Sequence, residues 1–235
     1  MVGMVDDLEA WFPYPTFRPY QREMLELASA VAREGGIAMI DAPTGSGKSS
    51  VVSALLSARA GRKVLVAVRT VSQLDTFVRE LALVRKKQPS LRFAYLIGKG
   101  SMCPLPGPGD VYRRCEGVKA FSAALMKERA QKGSLVPSRD PQIRLQLKKQ
   151  DPDHPLLCPY FVASRHFVQS EESGGLRMVP SAALRTRADR LAADTVSPRD
   201  LGRLCGDCCP YEAMLQAART ADVVILNFHH LFDDE

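Results

Sequence analysis

The sequence predicts an α/β fold in which a parallel sheet, flanked by helices, is interrupted by a small helical insertion. Three observations predict it. Helix-period and strand-like apolar patterns alternate between Pro19 and Ile97. A glycine-rich loop, Ala42–Ser49, stands between a strand pattern and a helix pattern. A buried-strand pattern then resumes at Asp222–Asn227, after a long stretch that carries none.

The elements follow in order. A helix is expected from Pro19, with Tyr20, Met24, Leu27 and Val31 on one apolar face and Gly35-Gly36 ending it. Ile37–Ile40 is expected as a short buried strand leading into the loop Asp41–Lys48. The next helix carries Val51, Val52, Leu55 and Leu56, and Lys63–Val68 is a second strand. Leu74, Phe77, Val78 and Leu81 mark another helix, and Phe93–Ile97 a third strand. From Gly98 the pattern breaks. Pro104, Pro106, Pro108, Pro155, Gly174-Gly175 and Pro198 separate short charged helices, with no sheet-like alternation and no expected core of their own. The expected boundaries are 1–98 with 212–235 for the sheet domain and 99–211 for the insertion.

A chain of 235 residues accommodates one α/β domain and a smaller one. Its 46% apolar content suits a soluble globular protein. No apolar run reaches the roughly 20 residues of a membrane span, and Met1–Glu9 has no basic leader, so the expected location is cytoplasmic, or nuclear in a eukaryote. The net charge of +6 makes a polyanion a plausible partner.

Ala42-Pro-Thr-Gly-Ser-Gly-Lys-Ser49 has the spacing of a phosphate-binding loop in its proper strand–loop–helix context. Gly45 and Gly47 let the backbone wrap phosphate oxygens, so Pro43, Thr44, Gly45, Ser46 and Gly47 are binding candidates. Lys48 is expected on the β- and γ-phosphates of ATP and Ser49 on Mg²⁺. The amide of Gln21 offers a donor and an acceptor that match the adenine edge.

Six cysteines in a chain expected inside the cell argue for metal or catalysis rather than disulfides. Cys103, Cys115, Cys158 and Cys209 each border a break or a helix end. Four thiolates serve either a tetrahedral zinc or an iron–sulfur cube, and their wide spacing leans toward the cube. Cys205-x-x-Cys208 has zinc-knuckle spacing and leaves a zinc site open.

With these residues in view, the chain resembles the XPD-type, iron–sulfur-containing superfamily 2 DNA helicases of the DEAD_2 group. Phe12-Pro-Tyr14 with Arg18-Pro-Tyr-Gln21 resembles their adenine-side motif, Asp41–Ser49 their motif I, and Val68-Arg-Thr-Val-Ser-Gln73 their motif Ia. Cys209-Pro-Tyr211 followed by Ala221–Leu231 is similar to their fourth-cysteine segment and the strand after it. The resemblance implies a RecA-like first motor domain split by an iron–sulfur domain. It implies a [4Fe-4S] cluster on Cys103, Cys115, Cys158 and Cys209, with Cys205 and Cys208 as extra thiols that compete for the fourth place. It further implies ATP hydrolysis coupled to translocation on single-stranded DNA, in repair. The family's Asp-Glu-Ala-His motif, second motor domain and arch insertion have no counterpart here. Asp234-Glu235 follow no apolar strand that would aim them at Mg²⁺. A C-terminal helicase half or a complementing subunit is therefore an expected partner.

The resemblance places Arg69, Thr70 and Gln73 on the single-strand backbone; on the residues alone they are also a capped helix start. Lys99, where relatives often carry arginine, and Arg113-Arg114 flank two proposed ligands and form a candidate phosphate path. Tyr112 and Phe121 are expected in the small-domain core, and His229-His230 in local packing. Two other functions stay open: a non-catalytic DNA- or subunit-binding module that keeps the helicase fold, and a zinc-stabilised P-loop regulator.

Overall fold

Parallel pairing puts one strand at the centre of the sheet, and the chain reaches that strand last. The computed structural model describes residues 5–105, 107, 109–171, 174–197 and 200–232. Pro106, Pro108, Pro198, residues 1–4 and the pair Asp234-Glu235 lie outside the described residues. The chain forms two compact units, one running to Leu96 and resuming at Thr220, the other spanning Ile97–Arg219.

The first unit opens with α1 (Val5–Trp11) and α2 (Gln21–Glu34). Gly35, with φ at 86°, ends α2 where glycine was expected to end it. The buried stripe of α2 is Met24, Leu25 and Ala28 with Gln21 and Ser29, so the face is rotated from the expected one. Leu27 is half exposed, and Tyr20, in a left-handed conformation just before the helix, is 84% exposed. A 3₁₀ turn at Lys48–Ser50 leads into α3 (Val51–Ala58), followed by β1 (Val64–Val68), α4 (Val71–Lys87) and β2 (Phe93–Leu96).

Ile37–Ile40 is not a strand. It has no ladder partner among the described residues, and Ile37 and Met39 are each 94% exposed. Apolar composition alone cannot hold a strand whose N–H and C=O groups have no neighbour to bond.

The second unit contains α5 (Val111–Gln131), α6 (Pro141–Lys149), α7 (Pro159–Ser164), the hairpin β3 (Arg165–Gln169) with β4 (Leu176–Pro180), and α8 (Ala182–Ala193). α9 (Leu201–Cys205) and α10 (Pro210–Thr220) complete it, with α10 ending at the first residue of the returning chain. Two expectations are corrected here. The insertion holds an antiparallel hairpin, with Phe167 paired to Met178. It also has its own core, in which Met126, Ile143, Phe161, Val162 and Phe167 are buried together.

The chain then returns as β5 (Val223–Asn227) and α11 (His229–Phe232). β5 lies between β1 and β2, parallel to both, with Val223 in register with Val64 and Phe93. Its first four residues are buried, as a central parallel strand requires. Asp222 fixes its entry by an ion pair to Arg59 and by accepting the Arg92 N–H at 2.8 Å. No described helix is long and apolar enough to cross a membrane.

Asp140 anchors α6. Its Oδ1 accepts from the N–H groups of Gln142 and Ile143, both at 2.9 Å, and its Oδ2 from Arg129 at 3.0 Å. Burial opposes its charge, but Ser134, the Ile143 N–H and Arg129 outweigh it and hold the carboxyl at about 2 against an ordinary 3.8. A depressed carboxyl stabilises the fold above its unfolded value and loses that contribution as pH falls toward 2. Asp140→Ala should lower stability in urea unfolding by about 3 kcal/mol, from the lost cap and the unpaired Arg129. The acid-side loss of stability between about pH 4 and 2 should be smaller in Asp140→Asn than in the wild type.

Candidate nucleotide and thiol sites

In the first unit the loop is shaped by the residue behind it. Gln21 is buried at the start of α2, and its Nε2 donates to Ser50 Oγ at 2.9 Å and to the Gly47 carbonyl at 3.3 Å. Its Oε1 accepts the Arg18 N–H at 2.9 Å. The amide expected to offer its donor and acceptor to adenine thus bonds the loop through Nε2 and the Arg18 backbone through Oε1. A methyl group at Gly47 would lie 2.2 Å from Gln21 Nε2, and Gly47 has a φ of 85°. Conformation and space both demand glycine there. Lys48 folds back on its own loop, donating to the carbonyls of Ala42 and, at 2.8 Å, Pro43.

Two clefts meet at Gly47 and Ser49. The larger, about 700 Å³, is lined by Thr44, Gly45, Lys48, Arg69 and Gln73 among others. The smaller, about 290 Å³, is bounded by Tyr14, Pro15, Arg18, Gln21 and Glu80. Thr70 caps α4, its Oγ1 accepting the Gln73 N–H at 3.2 Å, while Gln73 Oε1 accepts the Arg69 N–H at 3.0 Å. The structure thus brings Arg69 and Gln73 into the cleft of the phosphate loop, and Thr70 to the helix start beside it. Asn227, at the end of β5, donates to the Arg69 carbonyl at 3.2 Å. His229 donates its N–H to Asn227 and stacks its ring near Phe228, as local packing.

In the second unit Cys103, Cys115, Cys158 and Cys209 line one cavity, with Leu105, Val118 and Phe161 around them. Each comes from a different local structure. Cys103 follows the turn at Lys99–Ser101, donating its N–H to the Lys99 carbonyl at 2.9 Å. Cys115 sits on α5. Cys158 caps α7, its Sγ accepting the Phe161 N–H at 3.3 Å, and its own N–H donates to Ser122 Oγ at 3.0 Å. Cys209 precedes Pro210 at the start of α10, its N–H held by Ser164 Oγ at 2.9 Å. Burial pushes the Cys158 thiol up to about 11 and the Cys209 thiol to about 12. It raises Cys115 too, against the pull of Lys99 and Lys119.

Cys205 and Cys208 are buried outside that cavity lining, joined by a turn in which the Cys208 N–H meets the Cys205 carbonyl at 3.0 Å. Arg187 donates to the same carbonyl at 3.3 Å. Among the described residues no three His, Cys, Asp or Glu side chains stand close enough to hold one metal ion.

The three proposed phosphate contacts of this unit have separate surroundings. Arg114 turns inward, donating to the carbonyls of Gly107 at 2.7 Å and Leu105 at 3.3 Å. Lys99 sits between the rings of Tyr112 and Tyr211, 5.3 and 5.2 Å from their centroids. Arg113 is exposed. Tyr112 and Phe121 are also exposed, at 37% and 47%, rather than in the core, because α5 buries Val118, Ser122, Met126 and Ala130 instead.

A DEAD_2 family model matches residues 66–235, well over half of the chain. The chain belongs to the DEAD_2 family. It is 34% identical over 82 residues to the XPD helicase subunit of general transcription and DNA repair factor IIH from Schizosaccharomyces pombe. That match covers 33% of this chain and 11% of the relative. A solved structure, a truncated XPD, aligns with 91% of this chain and 46% of its own at 21% identity and a TM-score of 0.45. The chain therefore spans under half the length of either protein.

Two carboxylates of this DEAD_2 chain escape a motif reading. Glu80 follows Phe77 and precedes Val84 at helical spacing, so its place on an inward stripe was the available signal. Glu212 stands three residues after Cys209, directly after Cys209-Pro-Tyr211. It is 3% exposed and accepts from Lys119 at 2.7 Å and from Arg165. Burial works against its charge, but Lys119 and Arg165 hold it below its ordinary value. Lys119 also faces the Phe161 ring at 5.1 Å and so stands over the thiol cavity. Glu212→Gln should cost about 3 kcal/mol of stability in urea unfolding, since it leaves two cations around an uncharged amide. A loss under about 1 kcal/mol would show that the pair is solvated in solution.

Proposed function

We propose that this chain is the front part of an ATP-dependent DNA helicase of the XPD type, with its first unit as motor domain 1 and its second as an iron–sulfur domain. What carries the reading is the pairing, in one DEAD_2 chain, of a phosphate loop with four thiols around a single cavity. ATP·Mg²⁺ occupies the loop, with Lys48 on the terminal phosphates, Ser49 on the metal and the backbone from Pro43 to Gly47 around them. Gln21 serves this site from behind by fixing the loop. Arg69, Thr70 and Gln73 contact the single strand in the first unit, and Arg113 in the second, with Lys99 and Arg114 beside it. Hydrolysis and unwinding need a C-terminal helicase half or complementing subunit that supplies the acidic motif.

A [4Fe-4S] cluster on Cys103, Cys115, Cys158 and Cys209 fits the donor set. A tetrahedral zinc, with Zn–S near 2.3 Å, gathers its sulfurs within about 4 Å of one another. A four-iron cube spreads them over four irons, and the four thiols here line one shared cavity. Bound there, the cluster crosslinks four separate segments, and deprotonation of the buried thiols accompanies its assembly. Serine at any of the four should sharply lower the iron content of anaerobically purified protein, whereas Cys205→Ser and Cys208→Ser should retain it. Wild-type protein free of iron under those conditions would rule the cluster out.

Lys48→Ala should abolish binding of a fluorescent ATP analogue, because it removes the loop cation that reaches the phosphates. Equal binding by mutant and wild type would reject the nucleotide site.

A further inference from the structure

The smaller cleft holds a polar group that the phosphate chemistry leaves unused. Glu80, on α4, is 5% exposed and lines the cleft together with Tyr14, Arg18, Gln21 and Gly47. Its Oε2 accepts the Tyr14 hydroxyl at 2.7 Å. Its Oε1 is buried and has no hydrogen-bond partner among the described residues. A buried carboxylate oxygen without a donor is costly, and its place beside a cleft lets a ligand supply the missing donor.

The neighbouring side chains do not supply one. Arg18 turns its guanidinium to the Gly45 carbonyl. Both amide hydrogens of Gln21 go to Ser50 and Gly47. The cleft shares Arg18, Gly47 and Ser49 with the larger cleft around Lys48, so a nucleotide that spans both clefts puts its base beside Glu80. At the six-position adenine offers an amino donor, whereas guanine offers an oxygen acceptor that a carboxylate repels.

We propose that Glu80 selects the base of the nucleotide, accepting the exocyclic amino hydrogen of adenine on Oε1 while Tyr14 holds Oε2. The inference rests on the reading of Ala42–Ser49 as a nucleotide site and adds the residue that would make the site adenine-specific. Burial raises the Glu80 carboxyl, Tyr14 and Arg18 pull it back, and an amino donor adds to that pull.

The test is competition against a fluorescent ATP analogue on the 235-residue chain, using ATP, ITP, N6,N6-dimethyl-ATP and inorganic tripolyphosphate. ITP replaces the amino group by an oxygen and turns N1 from an acceptor into an N–H donor, whereas dimethylation removes both amino hydrogens and leaves N1 an acceptor. In the wild type, ATP should outcompete both by at least about tenfold, as expected where a lost hydrogen bond leaves a buried group unpaired. In Glu80→Gln, ATP and ITP should fall within about threefold, because an amide turns either its oxygen or its nitrogen to the base. Tripolyphosphate should compete equally in both proteins. Equal wild-type affinity for ATP and ITP, or undiminished preference in Glu80→Gln, would overturn the proposal while leaving the phosphate site intact. Failure of every competitor, tripolyphosphate included, would overturn the nucleotide reading and this inference with it. Should Glu80→Gln not fold, the three nucleotides on wild-type protein decide the matter alone.

Discussion

Backbone N–H groups surround a polyphosphate only where no side chain intervenes and where something fixes the backbone's path. In this chain the contact of Gln21 with Gly47 meets both needs, because the amide fills the space that a β-carbon would take. The same amide ties the loop to Ser50 at the head of the helix and, through Arg18, to the segment before α2. That segment is stiffened in turn by Phe12 stacked on Phe17, with ring centroids 4.2 Å apart, and by Tyr14 bonded to Glu80 on α4. The shape of the loop therefore depends on packing that begins well upstream of it.

The second unit solves a different problem. Four thiols share one cavity, and burial disfavours the thiolates of Cys115, Cys158 and Cys209. Two of the four begin helices, where backbone N–H groups turn toward sulfur, and Lys119 brings a positive charge to the same wall. Lys119 is held by Glu212, whose second partner Arg165 opens the hairpin. The ion triad thus joins α5, β3 and α10, the elements that deliver or support Cys115 and Cys209. Such fixed polar contacts add definition to an insertion that also has an apolar core of its own.

Much of this was legible because it depends on local pattern. The loop, the helix ending at Gly35 and the central strand at Val223 follow from spacing and from residues with one conformational use. What was not legible depends on partners distant in sequence. Ile37–Ile40 reads as a strand on composition, but a strand exists only against a neighbour, and the described chain offers it none. Tyr20 and Leu27 fit an apolar stripe by spacing, yet α2 buries Gln21 and Ser29 because the loop requires that amide inward. The hairpin at Arg165–Pro180 lacks clean alternation, and its strands are only partly buried. Arg114 shows the same limit for function. Its place beside Cys115 suggested phosphate, and its guanidinium instead ties down the carbonyls of the cysteine-bearing loop.

The two buried carboxylates carry the contrast furthest. Glu212 is surrounded by donors, and its charge is fully answered within the protein. Glu80 is answered on one oxygen only. Both sit where desolvation penalises them, so stability alone does not explain why one is completed and the other is not. A residue kept for packing would be replaced without loss by an apolar one of similar size beside Leu81 and Val84. An incomplete carboxylate at the edge of a cleft is instead the arrangement expected when the missing donor arrives with a ligand. The difference between the two acids thus separates a scaffold charge from one held ready for recognition.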